Sequence, residues 1–309
     1  MALNNVIKDG VWVTMLTPFD EDHQVDYPAL EAMIEWYIQK GVAGLFAICQ
    51  SSEMFFLSKQ ERAAVAKFVV EKAAGRVGVV ASGHISDDIY DQIEELKDTA
   101  ASGCDAVVLV SNRLAKQDES EDIWKANAIK IMEAIPDCTF GIYECPMPYR
   151  RLLSPELLKW CADTGRFAFL KDVSCDMELL SAKMDAIKGS SLKLFNANTA
   201  TILDSLKVGV NGFCGVMANM HPELYVWLCE KWHTDEEKAQ MVQNFATVAS
   251  LQELQSYPIC AKYHMQLCGL PTKIYTRSKD DTQWNHLREI ETLALYNQFL
   301  DFIKYCPLD

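Results

Sequence analysis

Lys171 closes the apolar run Phe167-Ala168-Phe169-Leu170, and lysine is almost never fully buried unless it is paired or working. Desolvation disfavours an ammonium, and the free amine it favours attacks carbonyls to form Schiff bases. The run Thr139-Phe140-Gly141-Ile142-Tyr143 ends 28 residues upstream, again in a titratable group. If both runs are adjacent parallel strands, an amine and a phenol leave the same sheet edge as nucleophile and proton carrier. A second reading has the Lys171 head reaching solvent and pairing with Asp172. Tyr143 taken alone reads as a core tyrosine with a satisfied hydroxyl.

Both runs sit in a longer alternation. Apolar, β-branched segments at 11–14, 43–49, 77–81, 105–110, 139–143, 167–171, 192–195 and 212–216 read as strands. Between them, 26–40, 58–74, 87–102, 121–134, a segment opening at Ser154-Pro155, 176–187, 199–208 and 222–232 read as helices. In the first helix Leu30, Met33, Ile34, Tyr37 and Ile38 recur at helical spacing behind an Asp26 N-cap and before Gly41. Ser58 and Glu61 have the capping-box spacing. About eight βα units favour a closed (β/α)8 TIM barrel, and the continuously apolar strands fit a sheet buried on both faces. The barrel is assigned to 1–232 as the catalytic domain. The strand signal then stops, and 236–255, 258–268 and 282–305 read as a C-terminal helical extension, 233–309, packed on the barrel.

Barrels carry chemistry at the C-terminal ends of their strands. Those ends hold Thr17, residues 50–53, 82–84 and 111–113, Tyr143, Lys171, residues 196–198 and residues 212–215. Among them Glu53 reads as a loop carboxylate bonding backbone amides. His84 reads either as a group at the mouth of the site or as a solvated loop histidine. Trp124, Trp160, Trp227 and Trp232 fall in helical stretches and read as packing residues.

Composition narrows the class. Half of the 309 residues are hydrophobic, enough for a large core, and the formal charge is -14. That acidic balance argues against nucleic acid or an anionic membrane as partner. No apolar run approaches a membrane span, and no signal segment is evident at the start. The 11 cysteines are scattered with no C-x-x-C pair, as in a reduced cytoplasmic protein, and the six histidines lack metal-ligand spacing.

From about Gly10 to Leu270 the chain resembles the dihydrodipicolinate synthase/N-acetylneuraminate lyase family of pyruvate-dependent class I aldolases. The resemblance is carried by Leu16-Thr17-Pro18-Phe19-Asp20, by Ser52 to Ser58, by Tyr143-Glu144-Cys145-Pro146, by Leu170-Lys171-Asp172, and by the run from Gly209 to Gly215 leading to Asn219 and Pro222. It implies that Lys171 is the Schiff-base lysine and Tyr143 the proton relay. Gln50 and Ser51 take the positions that hold the 2-oxo acid carboxylate, with Asn196, Gly212, Phe213 and Cys214 completing the substrate pocket. Ser51 keeps a hydroxyl there; Gln50 does not, and an amide cannot relay a proton as a hydroxyl can.

Other positions depart from the family pattern. Cys49 and Ser52 replace flanking glycines, and Ser111-Asn112-Arg113 lacks the family's second tyrosine. Met147-Pro148-Tyr149 is an apparent insertion before Arg150 and Arg151, either of which could meet the second substrate, and Ala197-Asn198-Thr199 replaces the acidic residues of sialic acid lyases. The resemblance therefore implies a lyase that cleaves or condenses a 2-oxo acid with an aldehyde, with no cofactor or metal, as a homotetramer or homodimer. The alternatives are a 4-hydroxy-tetrahydrodipicolinate synthase, a sugar-acid dehydratase using the same lysine, and a non-catalytic 2-oxo-acid-binding protein.

Overall fold

The structure is a computed structural model and describes residues 7–280, 282 and 284–308. Eight parallel strands pair in chain order and close on themselves: β1 (Gly10–Thr14), β2 (Gly44–Phe46), β3 (Gly78–Ala81), β4 (Ala106–Val110), β5 (Phe140–Tyr143), β6 (Phe167–Asp172), β7 (Lys193–Asn196) and β8 (Gly212–Phe213). The connecting helices are α1 (Tyr27–Gln39), α2 (Lys59–Ala73), α3 (Ile89–Ala100), the short α4 (Ser111–Leu114), α5 (Glu121–Ala134), α6 (Pro155–Asp163), α7 (Met177–Ala186), α8 (Ile202–Lys207) and α9 (Pro222–Lys231). This is the (β/α)8 barrel expected from the alternation.

Local signals explain where the helices begin. The Asp26 carboxylate accepts from Ala29 N, and Ser58 with Glu61 forms the reciprocal capping box at α2. Ser154 caps α6 by accepting from Leu157 N at 3.0 Å.

Aromatic side chains fill the barrel. The Trp12 ring lies 5.4 Å from Phe169 and 5.8 Å from Phe195, which stack on each other at 4.9 Å. Phe46 links this cluster to Tyr143, with ring centroids 5.9 Å from Phe169 and 5.5 Å from Tyr143. Glycine at 44 and 78 makes the room: a Cβ there would sit 2.3 Å and 2.5 Å from the Trp12 ring. At the β1/β8 seam a Cβ on Gly212 would lie 1.9 Å from Gly10 O, so only glycine lets the barrel close.

Several boundaries differ from the sequence expectation. The second strand is three residues long, not seven, because residues 47–50 turn away to form the β2 loop. The eighth ends at Phe213, after which the chain tightens into a 3-10 helix, Val216–Asn219. In the extension, α10 covers Glu236–Ala249 and gives way to a 3-10 turn, Ser250–Leu254; α11 is Ile259–Leu267. The last helix, α12 (His286–Tyr305), starts four residues later than its pattern suggested because Asn285 caps it.

The extension is tied to the barrel layer. Gln243 on α10 accepts from Leu203 N at 2.9 Å and donates to Thr199 O at 2.9 Å. Ala239, Val242, Met265 and Phe299 join the same apolar core as the strands. Among the described residues no helix is long and apolar enough to cross a membrane.

Candidate active site

Tyr143 and Lys171 are Cα partners across the β5/β6 pair, so their side chains leave the sheet together. Both are buried, and the Lys171 Nζ sits over the face of the Tyr143 ring, 4.7 Å from its centroid. The reading of Lys171 as a lysine reaching solvent to pair with Asp172 does not hold. At 4% exposure Lys171 stays inside, and Asp172 pairs elsewhere. Burial, then the neighbouring thiols of Cys145 and Cys49, hold the Tyr143 phenol well above its ordinary pKa.

The β2 loop approaches from the side. Tyr143 donates to Gln50 Oε1 over a long 3.5 Å, and the Cys145 thiol donates to the same oxygen at 3.7 Å. Ser52 locks this loop: its hydroxyl accepts from Cys49 N at 2.8 Å and donates to Cys49 O at 2.7 Å. Thr17 donates to Ser52 O at 2.8 Å. Ser51 is buried beside the half-buried Tyr257, whose phenol hydrogen-bonds it. Asn219 Nδ2 donates to that phenol at 3.3 Å. Tyr257 comes from the segment before α11, so the extension reaches Ser51 on the β2 loop. The sequence reading did not single it out.

The remaining candidates divide. Cys214 is buried close enough to Lys171 for the lysine charge to counter the rise that burial imposes on its thiol, which stands at about 12. Gly212 supplies the barrel seam, and Phe213 stacks on Tyr225 at 4.0 Å, so both face away from open space. Asn196 spends its amide on its own turn, donating to Thr201 Oγ1 at 3.0 Å and Ser205 Oγ at 3.1 Å and accepting from Asn198 N at 2.8 Å. The structure thus gathers Lys171, Tyr143, Gln50, Ser51 and Cys214 and places Asn196 in support.

Under the site lies a charge cluster that sequence reasoning missed. Lys183 on α7 is fully buried and donates at 2.6 Å to Glu144 Oε1 and at 2.6 Å to Asp172 Oδ2. These acids directly follow Tyr143 and Lys171 in the chain. Glu144 also accepts from Leu153 N at 2.8 Å and Val173 N at 3.2 Å, and Asp172 from Ser174 Oγ at 2.6 Å. Burial lifts the Glu144 carboxyl to about 7 despite the lysine. Burial pulls the Lys183 ammonium down, but the two carboxylates outweigh it and leave its pKa raised. An acid directly after each of the two residues Tyr143 and Lys171 at consecutive strand ends was the available signal: buried acids need a cation.

Glu53 behaves as the loop carboxylate it was read to be, held in a left-handed conformation at φ 60°. It accepts from Lys262 Nζ at 2.8 Å, Thr276 Oγ1 at 2.6 Å, Arg277 N at 2.7 Å and Ser278 N at 2.7 Å. His84 fits neither of its readings. It is fully buried, accepts from Val110 N at 2.7 Å and bonds Gln92 Oε1 at 2.9 Å, which pins the end of β4.

The position lacking a tyrosine holds a loop together instead. Asn112 Nδ2 donates to Cys145 O, Met147 O and Tyr149 O at 2.8, 2.8 and 2.7 Å. Arg151 is tied to Lys116 O and Glu119 O, whereas Arg150 is exposed on the same loop. Among the described residues no group of three or more His, Cys, Asp or Glu is arranged to hold a metal ion.

Comparison with known proteins gives the chain's family and fold. The model of the dihydrodipicolinate synthetase family matches residues 8–280. A 4-hydroxy-tetrahydrodipicolinate synthase of Clostridium perfringens is 27% identical over 266 residues, covering 84% of this chain and 89% of the relative. One of Saccharophagus degradans is 26% identical over 263 residues, covering 84% and 89%. In fold, the chain matches the prophage protein YagE of E. coli K12, solved with pyruvate, at a TM-score of 0.85 and 22% identity, covering 94% and 98% of the two chains. It matches CdNal of Clostridium difficile, solved with mannosamine, at 0.84 and 18%, covering 94% and 99%. The chain belongs to the dihydrodipicolinate synthetase family, the lyases that work as Schiff-base-forming, pyruvate-dependent class I aldolases.

Proposed function

We propose that Lys171 is the Schiff-base lysine of this chain and that its substrate is a 2-oxo acid of the pyruvate type, cleaved from or condensed with an aldehyde. The observation that carries this reading is the buried Lys171 amine lying over Tyr143, the only two such groups that β5 and β6 present side by side at the catalytic end. The free amine attacks the keto carbon to give a carbinolamine. The hydroxyl leaves as water with a proton from the Tyr143 phenol, and the nitrogen lone pair forms the C=N bond. The iminium accepts the electron pair released when the adjacent carbon loses a proton or a C–C bond. Ser51, with the backbone N–H groups of the β2 loop, holds the carboxylate and makes the attack unimolecular. No organic cofactor or metal enters this scheme, since the covalent imine is the electron sink.

The relatives' name, 4-hydroxy-tetrahydrodipicolinate synthase, suggests a condensation. The Asn112 clamp, which fills the region where a second tyrosine is expected, favours a different aldehyde half. The family likeness supports assembly as a homotetramer or homodimer in the cytoplasm.

The test is borohydride trapping with pyruvate, read by intact-protein and peptide mass. A pyruvyl adduct on Lys171, lost in Lys171→Ala, is the expected result. An adduct elsewhere, or none with any of a panel of 2-oxo acids, overturns the assignment and favours the non-catalytic binding protein. Product analysis then separates aldol cleavage from dehydration, since only the latter releases water without breaking a C–C bond.

A further inference from the structure

Among the described residues the Tyr143 phenol has no hydroxyl hydrogen-bond partner with which to exchange its proton. Its partners are the Gln50 amide oxygen at 3.5 Å and, beside that, the Cys145 thiol. An amide oxygen accepts hydrogen bonds but does not release a proton in turn. The thiol both gives and takes one. Local backbone geometry puts it there. Cys145 N donates to Tyr143 O at 2.8 Å, a tight turn at Glu144 that returns the Cys145 side chain to the phenol's side of the barrel. Asn112 Nδ2 donating to Cys145 O at 2.8 Å then fixes that turn. Cys145 is 0% exposed, so its proton is shielded from bulk water.

We propose that Cys145 is the proton-exchange partner of Tyr143, acting through the phenol while the Gln50 amide oxygen aligns both groups. The inference rests on the Schiff-base reading above. With pyruvate, carbinolamine collapse takes the phenol proton onto the departing hydroxide, which leaves as water. The phenolate takes the S–H proton of Cys145, leaving a thiolate opposite the new iminium on Lys171. In the next step the C3 proton of the iminium goes to the Tyr143 oxygen as the phenol proton returns to sulfur. The C–H electron pair becomes the enamine double bond, and the nitrogen takes up the iminium electrons. Phenol and thiol end as they began, so no outside acid or base is consumed.

Energetics favour a hand-over between these two groups. Burial raises both pKa values, the phenol's well above its usual value and the thiol's above its own, so neither is an isolated strong acid or base. The Lys171 charge pulls the thiol back down, and a cationic iminium at the same place does the same during turnover.

The experiment uses pyruvate alone, because hydrogen–deuterium exchange at its methyl group needs imine and enamine but no aldehyde. Exchange in D2O is followed by proton NMR in the full chain and in Cys145→Ala and Cys145→Ser, with borohydride trapping run in parallel. Cys145→Ala is expected to lower the maximal exchange rate about 100-fold, the lower end for a lost acid–base group, with little change in KM. The variant still forms the trapped adduct on prolonged incubation. Cys145→Ser keeps a hydroxyl that hydrogen-bonds the phenolate but is too weak an acid to take over its charge, so it restores only part of the rate, while its alkaline limb moves to higher pH because serine does not titrate there. Unchanged exchange in Cys145→Ala overturns the proposal, as does equal loss in both variants, which marks a packing role. Failure of the wild-type chain to trap pyruvate or any other 2-oxo acid of the panel is a different outcome and removes the Schiff-base reading itself.

Discussion

The Lys183 ammonium lies 2.6 Å from Glu144 Oε1 in a layer with no solvent exposure, one residue along the chain from Tyr143. The same Nζ reaches Asp172, one residue along from Lys171, at 2.6 Å. One cation on α7 therefore ties together the ends of the two strands that carry the phenol and the amine. The clamp sits outside the barrel, while Tyr143 and Lys171 point inside, so it acts on geometry alone.

Removing the cation should be costly. Lys183→Met leaves two buried carboxylates facing each other without a counter-charge, and breaking a buried pair this way costs about 3–5 kcal/mol. Urea unfolding at neutral pH should show that loss. Any folded Lys183→Met protein should trap pyruvate more slowly, because the register of Tyr143 against Lys171 is loosened. A variant as stable as the parent would mean that the two acids are already protonated.

Glu144 gives a pH signature of its own. Its folded carboxyl titrates near 7, above the ordinary 4.5, because burial first and Asp172 second disfavour the charged form. Between those values the folded chain binds more protons than the unfolded one. Its contribution is thus fully present below 4.5 and lost as pH rises through 7. Glu144→Gln keeps the shape and leaves Lys183 paired with Asp172 alone. The stability difference, parent minus variant, should fall steadily from pH 4.5 to 7 in denaturant titrations. A flat difference would place the Glu144 charge in both states.

What the sequence made legible is what local pattern and strand order decide. The alternation placed Tyr143 and Lys171 on neighbouring strand ends, and the β5/β6 register confirms the pairing. The Ser58–Glu61 capping box needed only its own three-residue spacing. The missed features depend on partners far apart in the chain. Lys183 meets Glu144 across 39 residues, and Lys262 meets Glu53 across 209. Nothing in the helical segment Met177–Ala186 marks that its lysine, Lys183, turns inward. His84 was misread for the same reason: a histidine at a strand end looks exposed until α3 supplies Gln92 to cover it. The β2 and β8 strands came out shorter than their apolar runs because buried loop residues at a barrel rim are as apolar as strand residues.

Acid should act on the packing of α9 against the C-terminal extension. His221 and His264 are buried edge to face with ring centroids 4.7 Å apart. The ring nitrogens of His221 find no hydrogen-bond partner among the described residues. Burial holds His264 near 4 and His221 well below its ordinary 6.5. Both bases are depressed on folding, so their stability is intact above 6.5 and is lost as pH falls toward 4, where the unfolded chain takes up protons that the folded one refuses. For His264 alone the loss is on the order of 3 kcal/mol. His264→Leu should make thermal midpoints less sensitive to pH between 6.5 and 4. Parallel curves for parent and variant would show that these rings do not control acid unfolding.

Glu53 offers a test that separates support from chemistry. Its carboxylate draws Lys262, Thr276, Arg277 and Ser278 onto the β2 loop, so it fastens the C-terminal segment to the loop that carries Gln50 and Ser51. Burial alone would lift its pKa, but the Lys262 charge and these donors outweigh it and hold the carboxyl below its ordinary value. The stability it gives is present above 4.5 and is lost as pH falls through that lowered value. Glu53→Ala leaves Lys262 buried without its carboxylate, a change worth about 3–5 kcal/mol. Glu53→Gln keeps the shape and some of the donors' partners, so its loss should be smaller. In both variants the pyruvate adduct should still form on Lys171 in whatever fraction stays folded, with weaker pyruvate binding as the β2 loop loosens. A Glu53→Gln chain that is fully stable yet no longer exchanges the pyruvate methyl protons would instead make this carboxylate part of the chemistry.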